Sequence, residues 1–332
     1  MRPHTLTRIG TILELRQLRA FVAIADHGHY GRAADSVGLT QPAITQRIKA
    51  LERELGTPLL TRSARGVNLT SAGQALIEHA RRLLLIEDRA VRALHDHAKG
   101  VVGRLRISYL TLWDFGPPAN IVAEFRRRYP AVVLEMSTGY SQANMDRLVA
   151  GNVDFAFVGV SIGERRGIAI RTLDRHEMVV VMTPQHPLAL IDRVPIERLR
   201  GEPLISVPPG VNNSLVAASL SWLGRHTGES PTVVREEPPD QIAAALMRTG
   251  NAIALMTVHR AEIAQKDGLI YRSLVPSPMI EYGAAYFRDD PSPALANLLE
   301  VVDEVAPALP DALPEGNELI WARPGSATGV AG

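Results

Sequence analysis

The sequence predicts a multidomain α/β protein in which an N-terminal winged helix-turn-helix, a long helix and a two-lobed α/β domain follow one another. Three observations support this prediction. Residues 31–70 combine helical patterns with two short extended runs, residues 71–99 keep one helical pattern, and the chain after Gly103 alternates strand and helix patterns. The expected divisions are an N-terminal extension at 1–13, the winged helix-turn-helix at 14–70, the long helix at 71–99, the two-lobed domain at 100–315 and a tail at 316–332.

The composition is that of an ordinary soluble protein. With 332 residues and 46% hydrophobic content, the chain can bury the cores of two or three compact domains. No apolar run approaches the roughly 18 residues that span a bilayer, and the N-terminus lacks an apolar signal core. We therefore expect a cytoplasmic protein without a membrane partner. The absence of cysteine excludes disulfides, thiolate metal sites and cysteine nucleophiles.

Charge is unevenly distributed along the chain. Residues 1–98 contain 14 Lys and Arg against 9 Asp and Glu, whereas the remainder contains 22 against 26. A basic N-terminal region followed by a mildly acidic remainder is typical of a nucleic-acid-binding module fused to a second domain. Many domains without that function carry a similar excess, so charge alone does not decide.

A helix-turn-helix is predicted between Gly31 and Leu55, after a first helix at 15–27. The turn falls at residues 37–40, and the helix after it repeats apolar residues at spacings of four, three and four, which places them on one buried stripe. Thr40 can cap this helix, and Pro42 is tolerated because amides of the first turn have no partner within the helix. The stripe consists of Ile44, Ile48, Leu51 and Leu55.

The opposite face of this second helix is polar and suits the major groove of DNA. Amide and hydroxyl side chains pair with base edges, whereas Lys and Arg hold phosphates. An amphipathic helix pair whose polar face is merely solvated would show the same periodicity, so the periodicity alone leaves that alternative open. The predicted contacts are Gln41, Thr45 and Gln46 to bases, Pro42 and Ala43 to thymine methyl groups, and Lys49 and Arg53 to phosphates.

Two short extended runs follow the helix-turn-helix. Gly56 and Pro58 end the helix, and residues 59–70 read as two strands around a basic turn. We interpret this hairpin as a wing, with Arg62 and Arg65 near phosphates or the minor groove.

In these residues the sequence resembles the LysR-type transcriptional regulators. Thr40 replaces the usual Ser and Leu60 the usual Phe, but Thr keeps the capping hydroxyl and Leu an apolar side chain. The resemblance implies binding to double-stranded DNA, and Arg32 and Thr40 complete the predicted DNA-binding set. The matching positions, in order over about 60 residues, are Leu15–Phe21, Arg32–Ala34, Thr40–Thr45, Leu51–Glu52, Leu55–Gly56, Leu59–Arg62 and Leu69–Gly73.

A long helix is predicted to begin at Ser71, with Gln74 completing a capping box, and to end at Gly100. At about 1.5 Å per residue it spans roughly 40 Å, too long and too sparsely apolar for an element inside one domain, so pairing with a second copy is expected. Glu87 interrupts the heptad, and a solvated linker is the alternative. The family resemblance favours a homodimer or homotetramer. The apolar stripe comprises Ile77, Ala80, Leu84, Val91 and Leu94.

Beyond Gly103 the alternation of strand and helix implies parallel sheets covered on both faces. The predicted strands lie at 105–109, 132–137, 155–158, 178–182, 204–207, 232–236, 252–256 and 284–287. Two sheets of this type resemble the halves of periplasmic binding proteins. The last strand and a helix at 293–305 are expected to return to the first half. Lobe I is placed at 100–160 and 284–310, and lobe II at 172–274. 

Ligands of two-lobed α/β domains lie beyond the carboxyl ends of strands, at helix N-termini that face the cleft. This rule predicts a site for a small polar or anionic effector. The resemblance to the LysR-type regulators implies that the effector is a carboxylate. Each side chain is by itself more often a helix cap than a ligand, so only their convergence argues for a site. The predicted effector-binding residues are Thr111, Leu112, Trp113, Thr138, Ser141, Val160, Ser206, Asn213 and Thr257.

The sequence therefore predicts a LysR-type DNA-binding regulator that responds to a small effector and has RNA polymerase as a partner. Catalysis is one alternative, but there is no Gly-x-Ser-x-Gly elbow, and His95 and His97 lie two apart on a helix and cannot face one metal ion. We predict no catalytic residue, metal site or cofactor. A ligand-binding transport receptor is the second alternative; the absent secretory segment and the DNA-binding head argue against it.

Overall fold

The computed structural model forms two compact units, Met1–Gly100 and Val101–Gly332, which are described separately. It describes residues 13–63, 66–98, 103–111, 113, 115–163, 165, 167–208, 213–290, 292–310 and 312–321. Residues 1–12 of the predicted extension lie outside this range. The predicted fold class is confirmed in both units.

The first unit is a winged helix-turn-helix followed by one long helix. Its elements are α1 (Leu15–His27), α2 (Tyr30–Ser36), α3 (Gln41–Leu55), β1 (Leu60–Ser63), β2 (Gly66–Leu69) and α4 (Ser71–Ala98). The strands pair antiparallel as a hairpin. Phe21, Ile44, Leu51 and Leu59 are buried in one cluster with Ile77 from α4. Burying each of these side chains stabilises the unit by about 1.5–3 kcal/mol.

The N-terminal cap of α4 differs from the predicted capping box. Thr70, not Ser71, is the capping residue, because its Oγ1 accepts a hydrogen bond from the Gly73 amide at 3.0 Å. Its carbonyl accepts from the Gln74 amide at 2.8 Å. The capping residue lies outside the helix, so a helix that begins at Ser71 is capped by the residue before it.

The apolar stripe of α4 has an inner and an outer part. Of the predicted stripe, Ile77 and Ala80 are buried against the other helices and Leu84 is half-buried, whereas Val91 and Leu94 are exposed. Leu83 and Ile86 were not in the predicted stripe and are exposed as well. We call Leu83, Ile86, Val91 and Leu94, which are 40–70% exposed, the outer stripe. Glu87 lies 3.1 Å from the Arg19 guanidinium of α1. The residue that interrupts the heptad therefore ties α4 to the rest of this unit.

The second unit alternates strands and helices in two lobes. Lobe I is built from β3 (Arg104–Leu110), α5 (Pro117–Arg128), β4 (Val133–Gly139), α6 (Ser141–Val149), β5 (Phe155–Gly159), β12 (Ser277–Phe287), α10 (Pro293–Val305) and β13 (Asn317–Leu319). Lobe II is built from β7 (Arg193–Pro195), β8 (Leu204–Ser206), α7 (Asn213–Thr227), β9 (Val233–Glu236), α8 (Ile242–Thr249), β10 (Ala254–Thr257), α9 (Val258–Gln265) and β11 (Ile270–Val275).

A single long strand, β6 (Ile168–Met182), belongs to both lobes. Residues 168–177 pair with β12 in lobe I, and residues 178–182 pair with β10 and β11 in lobe II. The chain crosses back where β11 leads into β12. The sheet is therefore continuous, in the order β4-β3-β5-β12-β6-β11-β7, with β10 also on β6 and β13 also on β12.

The prediction of parallel sheets is only partly correct. Strands β3, β4 and β5 are parallel, but β12 runs antiparallel to both β5 and β6. The first ten residues of β6 and the helix α9 were not predicted. Charged residues recur in that part of β6 because they have partners across the sheet: Arg175 lies 2.7 Å from the buried Glu281 of β12.

The tail expected at 316–332 is ordered at its beginning. Residues 317–319 pair parallel with β12, and Ile320, which follows them, is 2% exposed. The sequence Asn-Glu-Leu-Ile at 317–320 does not by itself indicate a strand. Residues 317–319 form one because residues 277–279 of β12 have an unpaired backbone edge there. Residues 322–332 lie outside the described part.

Gly73→Ala tests the close packing of α4 against the wing. A Cβ at this position would lie 2.1 Å from the Leu59 carbonyl oxygen. We expect the free energy of unfolding to fall by about 1–3 kcal/mol from overpacking, although alanine favours helices. Chemical denaturation followed by circular dichroism measures this. Gly103→Ala is the control, because its nearest neighbour would lie at 3.7 Å; equal stability of the two variants would contradict the packing argument.

Candidate nucleic-acid interface and ligand cleft

The predicted recognition face of α3 lies on the surface. Gln41, Pro42, Gln46, Lys49 and Arg53 are exposed. The apolar stripe of the same helix is buried, so burial of one face forces the other into solvent. Within the described part of the chain, Gln46, Lys49 and Arg53 make no hydrogen bond or ion pair. Their polar groups are available for a partner.

Two hydroxyl groups near the start of α3 are partly used by the helix itself. Thr40 Oγ1 accepts a hydrogen bond from the Ala43 amide at 3.4 Å, as predicted for a cap. Thr45 Oγ1 donates to the Gln41 carbonyl at 2.7 Å. Thr40 can still donate its proton, and Thr45 can still accept. Thr45 and Ala43 are half-buried, so a base would reach only their outer edges.

The arginine residues around α3 are held by neighbours that the sequence did not suggest. Arg32 Nη2 donates to the His27 carbonyl at the end of α1, at 2.7 Å. The Arg62 guanidinium lies over the Tyr30 ring, 5.2 Å from its centroid. Burial raises the pKa of Tyr30 and Glu52 adds to this, while Arg62 opposes it. Tyr30 therefore holds Arg62, on β1 of the wing, in place. Arg65 lies outside the described residues.

The wing is attached to the helix-turn-helix through backbone atoms. The Val67 amide donates to the Gly28 carbonyl at 2.9 Å. A Cβ on Gly66 would lie 2.6 Å from that same oxygen, and both glycines have positive φ. This contact sets the wing beside α1.

A cavity of about 110 Å³ lies between the two lobes of the second unit. We call it the cleft. Lobe I contributes Leu110, Tyr140 and Tyr282. Most of the remaining lining comes from lobe II and is apolar; it comprises Leu204, Ile205, Ser206, Val207, Leu215, Val216, Ser219, Leu220, Pro239, Ile242, Leu255, Met256, Thr257 and Arg260, with Met178 of β6. Of the predicted effector residues, Ser206 and Thr257 are therefore in the lining.

The polar groups of the cleft include two that sequence reasoning missed. Arg260 is in the first turn of α9, three residues after Thr257, and its Nη2 donates to the Pro239 carbonyl at 3.1 Å. Burial raises the pKa of Tyr140 and Asp240 adds to this, while Arg260 opposes it. The Tyr140 hydroxyl is thus a neutral donor beside a permanent cation. Looking one helical turn beyond Thr257 would have identified Arg260.

In lobe I the polar groups at the strand ends bind one another. The Asn144 side chain is fully buried; it donates to the carbonyls of Tyr109 at 2.8 Å and Phe157 at 3.0 Å and accepts from Ser108 at 2.7 Å. Ser141 is also buried, and its Oγ accepts from the Gly159 amide at 2.9 Å. This hydrogen bond holds the end of β5 and leaves the proton of the Ser141 hydroxyl available. Ser141 is not in the cleft lining, and its role as an effector ligand stays a prediction.

Trp113 is not in the cleft lining, so its position does not support the predicted role of covering an effector. It is fully buried, its ring stacks on Tyr282 at 4.9 Å, and its edge meets Phe157 at 5.8 Å. Trp113 therefore supports the cleft from behind Tyr282. Thr111 and Thr138 are exposed and Val160 is half-buried, and none of the three is in the cleft lining. Leu112 and the side chain of Asn213 lie outside the described residues.

The described residues contain no group of three His, Cys, Asp or Glu side chains arranged to hold a metal ion. In the same part of the chain, every helix is too short or too polar to cross a membrane. 

Comparisons with known proteins identify both units. Residues 15–74 match the family described as bacterial regulatory helix-turn-helix protein, lysR family. Residues 98–307 match the LysR substrate binding domain. The second match alone spans more than half of the chain, and together they cover both the helix-turn-helix and the cleft.

Individual relatives agree with these family matches. The chain is 29% identical over 292 residues to the HTH-type transcriptional regulator AlsR of Bacillus subtilis, covering 87% of this chain and 95% of AlsR. It is 33% identical over 252 residues to the HTH-type transcriptional regulator TtuA of Agrobacterium vitis, covering 76% and 83% of the two chains. The crystal structure of full-length CbnR complexed with its target DNA is similar at 25% identity and a TM-score of 0.51, covering 89% of this chain and all of that one.

Asn144→Ala tests whether the lobe I wall depends on the buried amide. The substitution leaves two carbonyls and one hydroxyl without their buried partner, so we expect a loss of about 1–3 kcal/mol in the free energy of unfolding. Urea denaturation of the full chain measures it. Gln142→Ala, an exposed neighbour on α6, is the control and should change stability by less than about 0.5 kcal/mol. A loss no larger than that of the control would show that the network is not needed.

Proposed function

Because the chain belongs to the LysR family of DNA-binding transcriptional regulators, we propose that α3 and the wing read its operator and that the cleft holds its effector. The exposed polar face of α3, on which Gln46, Lys49 and Arg53 have no partner among the described residues, is the observation that carries the proposal. The chain works as a regulator and not as an enzyme, since its relatives are transcriptional regulators. A DNA-binding role also supports a cytoplasmic location.

Base recognition is assigned to the exposed first turns of α3. Gln41 and Gln46 carry amides that can make paired hydrogen bonds to adenine, and Thr45 can accept one hydrogen bond. Pro42 and Ala43 offer apolar contact to thymine methyl groups. Arg32, Thr40, Lys49, Arg53 and Arg62 surround this face and position the duplex through phosphates, and Arg65 is assigned the same role from its place in the wing. The similarity to CbnR, whose structure was solved in complex with its target DNA, supports the proposal that this chain binds DNA.

The effector is assigned to the cleft, and a carboxylate is its proposed class. The lining is mostly apolar, so the body of the ligand should be apolar as well. Arg260 supplies a permanent cation whose planar donors match a carboxylate. Tyr140, Ser206 and Thr257 add neutral hydroxyls that fix its orientation. The ligand is thereby bound at one end by charge and along its length by hydrophobic contact.

Pairing of two or four copies is proposed through α4. Its outer stripe exposes Leu83, Ile86, Val91 and Leu94, and such a stripe on a long helix is stabilised when a second helix covers it. A dimer would present two copies of α3 to two half-sites. An effector can change transcription, and contact with RNA polymerase, only by favouring one arrangement of the copies over another.

Fluorescence anisotropy across a salt series tests DNA binding. The purified protein is titrated with the intergenic DNA beside its own gene and with scrambled duplex. We expect preference for the native fragment and a steep loss of affinity as salt rises, because phosphate contacts release counterions. Failure to bind any duplex at low salt would contradict the proposal and favour a ligand-binding receptor without a DNA role.

Gln46→Ala should relax base preference at one operator position. We expect a loss of about 1–3 kcal/mol in discrimination there, measured by selection from randomised duplexes. Lys49→Ala should instead weaken binding to all sequences and lower the salt slope by about one. Gln74→Ala, an exposed glutamine on α4, is the matched control. Unchanged preference in the Gln46 variant would remove this residue from the recognition set.

Arg260→Gln should abolish selectivity for carboxylates in the cleft. Benzoate and isovalerate are compared with benzamide and isovaleramide, which have the same shapes without the charge, and Tm is measured by thermal shift. We expect each acid to raise the Tm of the native protein more than its amide does, and the substitution to weaken acid binding by about 10–100-fold, since a charged hydrogen bond contributes about 1.5–3 kcal/mol. Arg225→Gln, on the exposed side of α7, is the control. Equal shifts by acid and amide would contradict the carboxylate assignment.

A further inference from the structure

The segment after α10 returns to the sheet at the place where the lobes meet. Asn317, Glu318 and Leu319 pair with Ser277, Pro278 and Met279 at the start of β12. The Ser277 amide donates to the Gly316 carbonyl at 2.9 Å, and the Ile320 amide donates to the Met279 carbonyl at 3.1 Å. We call residues 316–321 the C-terminal strap. Its backbone is therefore fixed to lobe I at both ends of β13.

One side chain of the strap reaches lobe II. Glu318 Oε2 accepts a hydrogen bond from the indole Nε1 of Trp222 at 3.3 Å and lies 3.0 Å from His226 Nε2. Both partners are on α7, and their rings lie 4.5 Å apart. Trp222 is 1% exposed, so its indole N–H has a specific partner in an otherwise apolar setting. A residue of the C-terminal strap thus satisfies a buried donor of the other lobe.

The same helix forms part of the cleft. Leu215, Val216, Ser219 and Leu220, in the first half of α7, line the cavity. Trp222 and His226, in the second half, contact Glu318. Because a helix of this length moves as one body, a ligand that displaces its first half must also move the residues that Glu318 binds. The cleft wall and the strap contact are therefore mechanically linked.

The strap contact differs from the other connections between the lobes. Strand β6 and the passage from β11 to β12 are covalent and allow bending, and α7 also packs directly on α6 and on residues 160–162 of lobe I. The Glu318 contact is non-covalent, and the Glu318 side chain is 47% exposed, so water can replace its partners when the lobes separate. This is the property expected of a restraint that can be released without unfolding.

We propose that the C-terminal strap, through Glu318, holds α7 against lobe I and thereby restrains the angle between the two lobes. Release of this contact allows the lobes to take a second arrangement. The restraint belongs to the second unit alone and requires neither DNA nor effector. The proposed restraint can therefore be confirmed or refuted independently of the function proposed above.

Distance measurement between two spin labels tests the restraint in the full chain. The sequence has no cysteine, so Ala244→Cys in lobe II and Ala296→Cys in lobe I provide two labelled positions on exposed helix surfaces. The labelled protein is mixed with an excess of unlabelled protein, so that pulsed electron resonance gives the distribution of distances between the lobes of one chain. With Glu318→Ala we expect a second population, or a mean shifted by more than about 2 Å. Glu315→Ala, an exposed carboxylate just before the strap, is the matched control and should leave the distribution unchanged.

A second variant guards against loss of folding. Glu318→Gln keeps the volume and an acceptor oxygen for Trp222 but removes the charge beside His226, and it should shift the distribution in the same direction by less. Circular dichroism establishes that each variant is folded. Distributions that coincide with the native protein in the folded variants would overturn the proposal, as would an equal shift in the Glu315 control.

Discussion

The hydrogen bonding of one strand into two lobes is the constraint on which the second unit depends. The first ten residues of strand β6 pair in lobe I and its last five pair in lobe II. The part of the sheet that belongs to each lobe is therefore incomplete without this strand. Charged residues near the crossing are consequently paired within the sheet. Burial by itself raises the pKa of the Asp174 carboxyl group. The hydrogen bond between Asp174 and His176 outweighs this effect, so the pKa of Asp174 lies below its ordinary value. The cleft lies where this shared strand leaves one lobe for the other, and any motion between the lobes must bend it.

Local periodicity was sufficient to predict the first unit and insufficient for the second. The apolar spacing from Ile44 to Leu55 and the Gly and Pro residues after it define α3 and the wing, because helix and turn signals depend on nearby residues. The first ten residues of β6 carry no such signal, since Arg175 is explained only by Glu281, 106 residues later. Likewise, β13 exists because β12 has a free edge. Elements that depend on distant partners cannot be recognised from their own composition.

The residues of the proposed DNA-binding surface could likewise be predicted from the sequence, whereas most residues of the cleft could not. Exposure of Gln46 and Lys49 follows directly from the helical period. In the cleft, the rule of strand ends led to Ser206 and Thr257 but equally to Ser141, whose hydroxyl the fold already uses. The rule selects positions and says nothing about whether a polar group is already satisfied. Arg260 was not predicted because it lies in the first turn of α9, a helix that the sequence did not indicate.

The contact between Gly28 and Gly66 has a consequence for how such a surface can change. The direction of the wing is set by an amide and a carbonyl, and by the absence of a side chain at both glycines. The orientation of the wing and the chemistry of its surface thus depend on different atoms. Exposed side chains such as those of Thr61 and Arg62 can therefore be substituted while the backbone contact that sets the orientation is kept.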